Sequence, residues 1–225
     1  MEHPLDRPVW SALMGPQAGV AVTLGGAVRY RPDVGLFAAT VDAGDAAMAD
    51  LTSLVRAHGE TALVEPRAVS APPGLVVVSQ AECLQMVAEG GGGGADDREL
   101  ERLSTDDWPE MTALAHATRP GPFFARTASL GRFLGVRIDG RLAAMAGERM
   151  RIPGYTEVSG VCTLPEYRGR GLAAALIGAV MADIRARGET PILHTYASNT
   201  SANRLYEALG FRTRQSVVMT VLAVS

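Results

Sequence analysis

Five consecutive glycines at residues 90–94 constrain the fold of this chain more than any other feature. Glycine loses more backbone entropy on folding than any other residue, so neither a helix nor a strand is expected to continue through them. Ala95, Asp96 and Asp97 follow directly. We therefore predict a boundary here, with an α/β region of unassigned role over residues 1–95 and a second domain over residues 96–225. A long loop inside a single domain is the alternative.

Composition narrows the class of protein. The 225 residues are 47% hydrophobic and 20% charged, with a net charge of −3, which is typical of a globular protein without the basic excess of a nucleic-acid binder. Two cysteines and four scattered histidines show no metal-binding spacing. The longest apolar run is shorter than the ~20 residues that span a bilayer, and the N-terminus lacks the pattern of a secretion signal. A cytoplasmic protein without metal, membrane or nucleic-acid partners is expected.

Apolar patterning predicts an α/β fold on both sides of the glycines. Before them we expect a β segment at residues 27–40, a helix at 42–57, and strands at 61–64, 75–79 and 84–88. After them, Ser104 and Asp107 have the spacing of a capping box that opens a helix to about Ala117. Asp139-Gly140 is a strong two-residue hairpin signal. The remaining predicted elements are strands at 133–138, 142–150, 156–163, 192–196 and 211–224 and helices at 172–187 and 201–209.

The segment from residue 161 to residue 174, VCTLPEYRGRGLAA, is the most informative for function. We predict a strand, a proline-containing turn, a glycine-rich loop and the start of a helix. Gly169 and Gly171 remove side chains where a ligand approaches the backbone, and Arg168 and Arg170 add positive charge. The first N–H groups of a helix lack intrahelical partners, and the helix dipole favours an anion beside them. These residues predict a phosphate or pyrophosphate site.

Other assignments of this loop are weaker. The glycines also fit the dinucleotide fingerprint G-x-G-x-x-A, but residues 165–168 separate the strand from the first glycine, and no acidic residue ends the next strand. A P-loop fails because no Gly-Lys-Ser/Thr sequence follows. A loop in which the glycines only shape a turn is the remaining alternative.

Two motifs resemble one known family. Arg168-Gly-Arg-Gly-Leu-Ala173 resembles the R/Q-x-x-G-x-G/A signature of the GNAT superfamily of acetyl-CoA-dependent N-acetyltransferases. Asn199, Tyr206 seven residues later, and Gly210-Phe211 resemble the family's second hallmark. One predicted helix and one predicted strand separate the two motifs, as that fold requires. The resemblance covers about residues 96–225.

This resemblance implies a fold and a co-substrate. The implied fold is a mixed, mostly antiparallel sheet flanked by helices, preceded by a smaller α/β N-terminal region that we interpret as a degenerate half-copy of the same fold. The implied co-substrate is acetyl-CoA, with its pyrophosphate on the loop amides, its pantetheine arm beside the signature strand, and a bulge at Gly160 opening the cleft. The implied cofactor-binding residues are Val161, Cys162, Thr163, Arg168, Gly169, Arg170, Gly171, Leu172, Ala173, Ala174 and Asn199.

Proton transfer in such an enzyme needs an acid and a base. Tyr206 is the implied acid, which would protonate or orient the coenzyme A sulfur. Glu157, eleven residues before Arg168, is our first candidate for the general base, because a carboxylate beside an apolar cleft can have its pKa raised towards neutrality. Glu148 on the preceding strand is the second candidate, and water is the third. His194 is predicted to be a structural histidine.

Together these features predict transfer of an acetyl or acyl group from acetyl-CoA to a primary amine by direct attack. The acceptor is expected to be a small molecule or a peptide. A non-catalytic, coenzyme A-binding regulatory module is the alternative, and a nicotinamide-dependent oxidoreductase is a third hypothesis. For residues 1–95, two roles are open: shaping the acceptor pocket, or forming a homodimer interface.

Overall fold

The computed structural model of the protein describes residues 3–90 and 99–225. The predicted boundary therefore falls on a segment, residues 91–98, that lies outside the described residues. Within the described part, the α-helices are Pro8–Leu13 (α1), Asp45–His58 (α2), Trp108–Thr118 (α3), Leu172–Ala186 (α4) and Thr200–Ala208 (α5). The strands there are Ala21–Leu24 (β1), Ala27–Tyr30 (β2), Ala38–Thr40 (β3), Thr61–Glu65 (β4), Leu75–Ala88 (β5), Glu101–Arg102 (β6), Phe133–Ile138 (β7), Arg141–Ile152 (β8), Tyr155–Thr163 (β9), Thr190–Tyr196 (β10) and Phe211–Val224 (β11).

The strands form two sheets. Eight of them make one sheet in the order β4-β11-β5-β10-β9-β8-β7-β6, and β1, β2 and β3 make a smaller one. Neighbouring strands are antiparallel except β9 and β10, which are parallel. The predicted mixed, mostly antiparallel sheet flanked by helices is confirmed.

The large sheet takes strands from both sides of the predicted boundary. β5, from the N-terminal region, lies between β10 and β11 and pairs with both. It is also a single strand of 14 residues, so the prediction of two short strands at 75–79 and 84–88 is wrong. β11 pairs with β5 along almost its whole length. The polar residues between the apolar runs 75–79 and 84–88 therefore also have backbone partners, and the strand continues through them. The first 88 residues are therefore part of the framework that holds the second half.

Local sequence explains the elements around the cleft described below. The β7–β8 hairpin turns at Asp139 and Gly140, whose φ angles of 52° and 75° both lie in the left-handed region that a two-residue hairpin turn of this kind requires. In α4, Leu176, Ile177, Val180, Met181 and Ile184 recur at helical spacing and are buried.

The sheet is covered on both faces. Leu193 on β10 packs in a cluster with the apolar face of α4. Its neighbour Ile192 packs in a different cluster, with Val9 and Leu13 of α1. Successive strand residues point to opposite faces, so α4 and α1 lie on opposite sides of the sheet. The central strands are therefore packed against helices on both faces.

Candidate active site

A cleft opens where two central strands separate. β9 and β10 pair only over Tyr155–Glu157 and Thr190–Ile192. Beyond that point β10 continues along β5, while β9 continues along β8. One edge of β9 past Glu157 is therefore left without a strand partner. A cavity of about 570 Å³ lies in the gap, lined by residues 158–163 of β9 and 193–196 of β10.

A β-bulge lies on β9 at the same place. Ser159 pairs with Gly147 and Cys162 with Met145, so Gly160 and Val161 together oppose the single residue Ala146. Gly160 has a φ of 63°, and a Cβ there would lie 2.8 Å from Cε1 of Phe133. Only glycine fits both the backbone conformation and the available space. The predicted bulge at Gly160 is confirmed, and it bends β9 away from β10.

The glycine-rich loop lies at the end of the same strand. Gly169 and Gly171 have φ angles of 75° and 76°, and Gly171 caps α4 without any side-chain hydrogen bond. The first turn of α4 also contains no acidic residue. Its free N–H groups and the helix dipole are therefore available to an anion. Arg168 lines the cleft beside them, with its Nε donating to the carbonyl of Thr163 at 3.2 Å.

Comparison with known proteins identifies the family to which a chain with this cleft and loop belongs. The sequence model of the family described as FR47-like protein matches residues 133–219. The chain is also 54% identical to a protein from Novosphingobium aromaticivorans that is assigned to the GNAT family of acetyltransferases, with a TM-score of 0.93 and coverage of 100% of both chains. The chain belongs to the GNAT family of acetyltransferases.

More distant GNAT structures share the fold. A GCN5-related N-acetyltransferase from Kribbella flavida is 20% identical, with a TM-score of 0.67 over 99% of this chain and 96% of that one. A GCN5-related N-acetyltransferase-like protein from Streptococcus suis is 14% identical, with a TM-score of 0.58 over 96% and 92% of the two chains. No curated protein sequence matches the chain.

The residues predicted to bind the co-substrate fall into two groups in this GNAT fold. Those that line the cleft are Val161, Cys162, Thr163, Arg168, Ala173 and Asn199. Those that form the loop and first turn of α4 without lining the cleft are Gly169, Arg170, Gly171, Leu172 and Ala174. The Arg170 guanidinium lies 5.1 Å from the Tyr167 ring centroid. The Asn199 side chain accepts a hydrogen bond from the N–H of Ala202 at 3.3 Å, so it also caps α5.

Tyr206 lines the cleft from α5. Its ring packs edge to face on Phe211, with centroids 6.2 Å apart. Its hydroxyl has no hydrogen-bond partner among the residues that the structure describes. Burial raises the pKa of Tyr206 above its ordinary value, so the hydroxyl stays protonated at neutral pH. This placement leaves the O–H group available to a ligand in the cleft.

Glu157 does not have the properties expected of a base. It is fully buried, and its carboxylate accepts bonds from Arg149 Nε and Nη2 at 2.8 and 2.7 Å and from His194 Nδ1 at 2.8 Å. Burial by itself would raise the pKa of Glu157, but the Arg149 guanidinium and these hydrogen bonds lower it to about 2. The expected rise in its pKa is therefore wrong. An ionised carboxylate held by two cationic or donor groups is a poor proton acceptor.

Glu148 is held elsewhere. It is 3% exposed, and its Oε1 accepts a hydrogen bond from Arg187 Nη2 at 2.8 Å. It does not belong to the lining of the cleft. Glu148, the second candidate for the base, therefore does not face the cleft, because the register of β8 against β9 turns this side chain towards Arg187 at the end of α4.

His194 lines the cleft, and both of its ring nitrogens are engaged. Nδ1 lies 2.8 Å from Glu157 Oε1, and Nε2 lies 3.1 Å from Gln85 Nε2. Gln85 Oε1 accepts from Arg214, which fixes the amide so that its NH₂ group donates to His194. His194 therefore donates from Nδ1 and accepts at Nε2. Because the ring also lines the cleft, the structural role of His194 stays a prediction.

Sequence reasoning missed the other end of the cleft. Phe37 and Cys83 of the N-terminal region line it together with Arg149 and Tyr196. Arg149 packs over Phe37, with 4.7 Å between the guanidinium carbon and the ring centroid. No local motif marks these residues, because the topology of the sheet brings them together. Cys83 reaches the cleft through the pairing of β5 with β10, and Phe37 through its bridge to Ala62 of β4, so neither could be linked to the cleft without the sheet topology.

A cysteine nucleophile and a metal centre receive no support from the residues that the structure describes. Burial raises the pKa of both Cys83 and Cys162 to about 11, so their thiols are protonated at neutral pH. Residues 3–90 and 99–225 contain no cluster of three or more potential metal-ligating side chains. Among the helices of this described part, none is long and apolar enough to cross a membrane.

Proposed function

We propose that this GNAT protein transfers an acetyl group from acetyl-CoA to a primary amine by direct attack. The divergence of β9 from β10 beside the loop at residues 168–171 is the observation that carries the proposal. It supplies an unpaired strand edge and an anion-binding helix terminus at one end of the same cleft.

The residues present fit coenzyme A. The pyrophosphate would accept hydrogen bonds from N–H groups of the loop and of the first turn of α4, with Arg168 adding charge. The pantetheine amides would pair with the free edge of β9. The buried Thr163 Oγ1 has no hydrogen-bond partner within the described residues, and a ligand group beside β9 would supply one.

The reaction would form one C–N bond and break one C–S bond. The lone pair of a neutral amine attacks the thioester carbonyl, and a main-chain N–H of the free edge near Val161 stabilises the developing oxyanion. Collapse of the intermediate expels the thiolate. The nitrogen loses a proton, the sulfur gains one, and the products are the N-acetyl amine and coenzyme A.

Tyr206 would donate a hydrogen bond to the departing sulfur. A cysteine thiol has an ordinary pKa of about 8.5, whereas the pKa of Tyr206 is raised above the ordinary tyrosine value of 10.0. If Tyr206 gave up its proton completely, the resulting phenolate would be a stronger base than the thiolate that the proton neutralises. Stabilisation of the thiolate by the Tyr206 O–H group is consequently the larger part of its role.

Water would accept the proton from the amine. Glu157 and Glu148 are both held in buried ion pairs, and no aspartate or glutamate belongs to the described lining of the cleft. A neutral amine has to be selected by the site instead, and positive charge nearby favours the neutral form.

Thermal-shift measurements with acetyl-CoA, coenzyme A and NADH test the binding step on the wild type, Gly171→Trp and Gly188→Trp. Both glycines have positive φ and lie at opposite ends of α4, so the two variants strain the same helix. We expect stabilisation by both coenzyme A species and not by NADH, lost only in Gly171→Trp. No stabilisation of the wild type, or equal loss in both variants, would overturn the assignment.

A coenzyme A-binding module without turnover is the second candidate. The absence of a carboxylate from the described cleft lining is the observation that favours it. Release of free thiol from acetyl-CoA, measured with a panel of amines, separates the two functions. Thiol release that depends on both an amine and Tyr206 supports the transferase. Binding of coenzyme A with no acetylated product from any amine supports the module.

A further inference from the structure

The end of the cleft away from the glycine loop is cationic at its surface. The charged residues of the described lining are Arg119, Arg149 and Arg168, and no carboxylate accompanies them. Arg168 lies beside the proposed pyrophosphate site, so its charge is accounted for. Arg149 is on β8, opposite the point where β9 and β10 separate, and the proposed co-substrate site leaves it unused.

Arg149 is held in one orientation with part of its guanidinium free. Nε and Nη2 donate to Glu157, and the face of the guanidinium packs on Phe37. Nη1 has no partner among the residues that the structure describes. The side chain is 12% exposed, whereas Glu157 is not exposed at all. The pair is neutral as a whole, but the side that it presents to the cleft is the guanidinium.

The contacts around Glu157 hold the Arg149 guanidinium in a fixed position. His194 and the main-chain N–H of Met150 donate to the same Glu157 carboxylate, at 2.8 and 3.3 Å. Gln85 in turn fixes His194. An arginine whose position is fixed in this way loses little side-chain entropy when it binds a ligand carboxylate. Such a bond to a charged group in a partly dry cleft is also strong.

Apart from Cys83, His194 and Tyr196, the lining around Arg149 is apolar. Phe37, Val64, Met150 and Met219 line this end of the cleft. They come from four different elements or loops, so the apolar surface encloses the space on several sides. A ligand here would pair one negative group with Arg149 and bury an apolar body.

We infer that the acceptor is an amino acid with an apolar side chain, whose carboxylate binds Arg149 Nη1 and whose amine faces the thioester. This inference rests on the proposed acetyl transfer. The same surface disfavours polyamines and other cationic acceptors, since they would meet arginine and no exposed carboxylate. A positive neighbour also favours the neutral form of the amine, which is the form that reacts.

Matched acceptors test this inference. L-phenylalanine, L-phenylalaninamide, phenethylamine and spermidine would be compared by mass spectrometry of the acetylated product and by kcat/KM. We expect L-phenylalanine to exceed the amide and phenethylamine by about 10- to 100-fold, as a hydrogen bond to a charged group implies. The amine of the amide is less basic and more often neutral, so its intrinsic reactivity works against this expectation.

Two variants assign the preference to Arg149. Arg149→Met combined with Glu157→Gln removes both charges of the pair, keeps the packing on Phe37 and keeps an acceptor for His194. We expect the KM of this double variant for L-phenylalanine to rise. The ratio of kcat/KM for L-phenylalanine to kcat/KM for L-phenylalaninamide should fall to within about threefold of one. Arg119→Met removes another cation of the cleft and should leave the ratio unchanged. Thermal shifts with coenzyme A would confirm that both variants are folded.

The outcomes separate this inference from the proposed function. Acetylation of the amide, phenethylamine or spermidine at least as fast as L-phenylalanine would overturn the inference and leave the transferase intact. Loss of the preference in Arg119→Met, but not in the double variant, would overturn the assignment to Arg149. Coenzyme A binding without acetylation of any amine would instead contradict the proposed function.

Discussion

Arg149 and Glu157 lie on adjacent strands and are joined by two hydrogen bonds of 2.8 and 2.7 Å, at the point where β9 parts from β10. This pair determines the chemistry of the cleft. It removes Glu157 as a proton acceptor and leaves a guanidinium at the surface. A position that would otherwise supply a base therefore supplies a cation.

The pair should stabilise the fold in a pH-dependent way. The pKa of Glu157 is lowered from 4.5 to about 2, so its contribution is present above about pH 5 and is lost as the pH falls towards 2. Glu157→Gln leaves Arg149 unpaired, so we expect it to lower the free energy of unfolding at pH 7 by about 3–5 kcal/mol. Urea unfolding at a series of pH values should show this difference narrowing as the pH approaches 2. A difference that is constant with pH would contradict the shifted pKa.

Tyr206→Phe should impair turnover more than binding. The ring contact with Phe211 survives, so only the hydroxyl is lost. We expect kcat to fall by about 100-fold, with little change in KM for acetyl-CoA. Tyr155→Phe is the matched control. The Tyr155 hydroxyl lies 3.3 Å from His3 Nε2, and Tyr155 does not line the cleft. Equal effects of the two substitutions would argue against a role for Tyr206 in the chemistry.

The two arginines of the glycine loop should contribute unequally to coenzyme A affinity. Arg168 lines the cleft, whereas Arg170 packs on Tyr167 outside it. Calorimetry should show Kd rising by about tenfold in Arg168→Gln, and by less in Arg170→Gln. The salt dependence of Kd should also weaken in Arg168→Gln, because one charge contact is lost. A larger effect in Arg170→Gln would place the phosphates on the other side of the loop.

Both cysteines should react slowly while the chain is folded. Burial raises the pKa of Cys83 and of Cys162 to about 11, and the thiolate is the reactive form. Alkylation by iodoacetamide, followed by mass spectrometry, should therefore be slow at pH 7 and accelerate as the pH rises towards 11. Unfolded protein is the control, and it should be alkylated at both positions near pH 8.5. Rapid labelling of either residue at pH 7 would show that its thiol is not buried.

Much of the fold could be predicted from local sequence. The Asp139-Gly140 turn, the apolar face of α4 and the Ser104–Asp107 capping box all depend on residues within a few positions of one another, and all three appear in the structure. The capping box differs from the prediction in one respect, since it opens a 3-10 turn at Thr105–Asp107 that leads into α3. The glycine loop belongs to the same class. Gly169 and Gly171 both have positive φ, a conformation that favours glycine, so the loop could be predicted from its own residues.

The roles of Glu157, Glu148 and Arg149 were decided by tertiary structure. The sequence put Glu157 on the signature strand, but the structure shows that it lies where β9 and β10 separate and which partners hold it. Its pKa depends on Arg149 and His194, which are brought to it by the register of β8 and by the position of β10. The end of the cleft around Arg149 likewise depends on Phe37 and Cys83, which reach the cleft because the N-terminal segments pack against and within the large sheet. Sequence therefore determined the local backbone and the glycine-rich loop. Only the sheet topology determined which charges meet, because electrostatic partners are chosen by distance in space and not by distance along the chain.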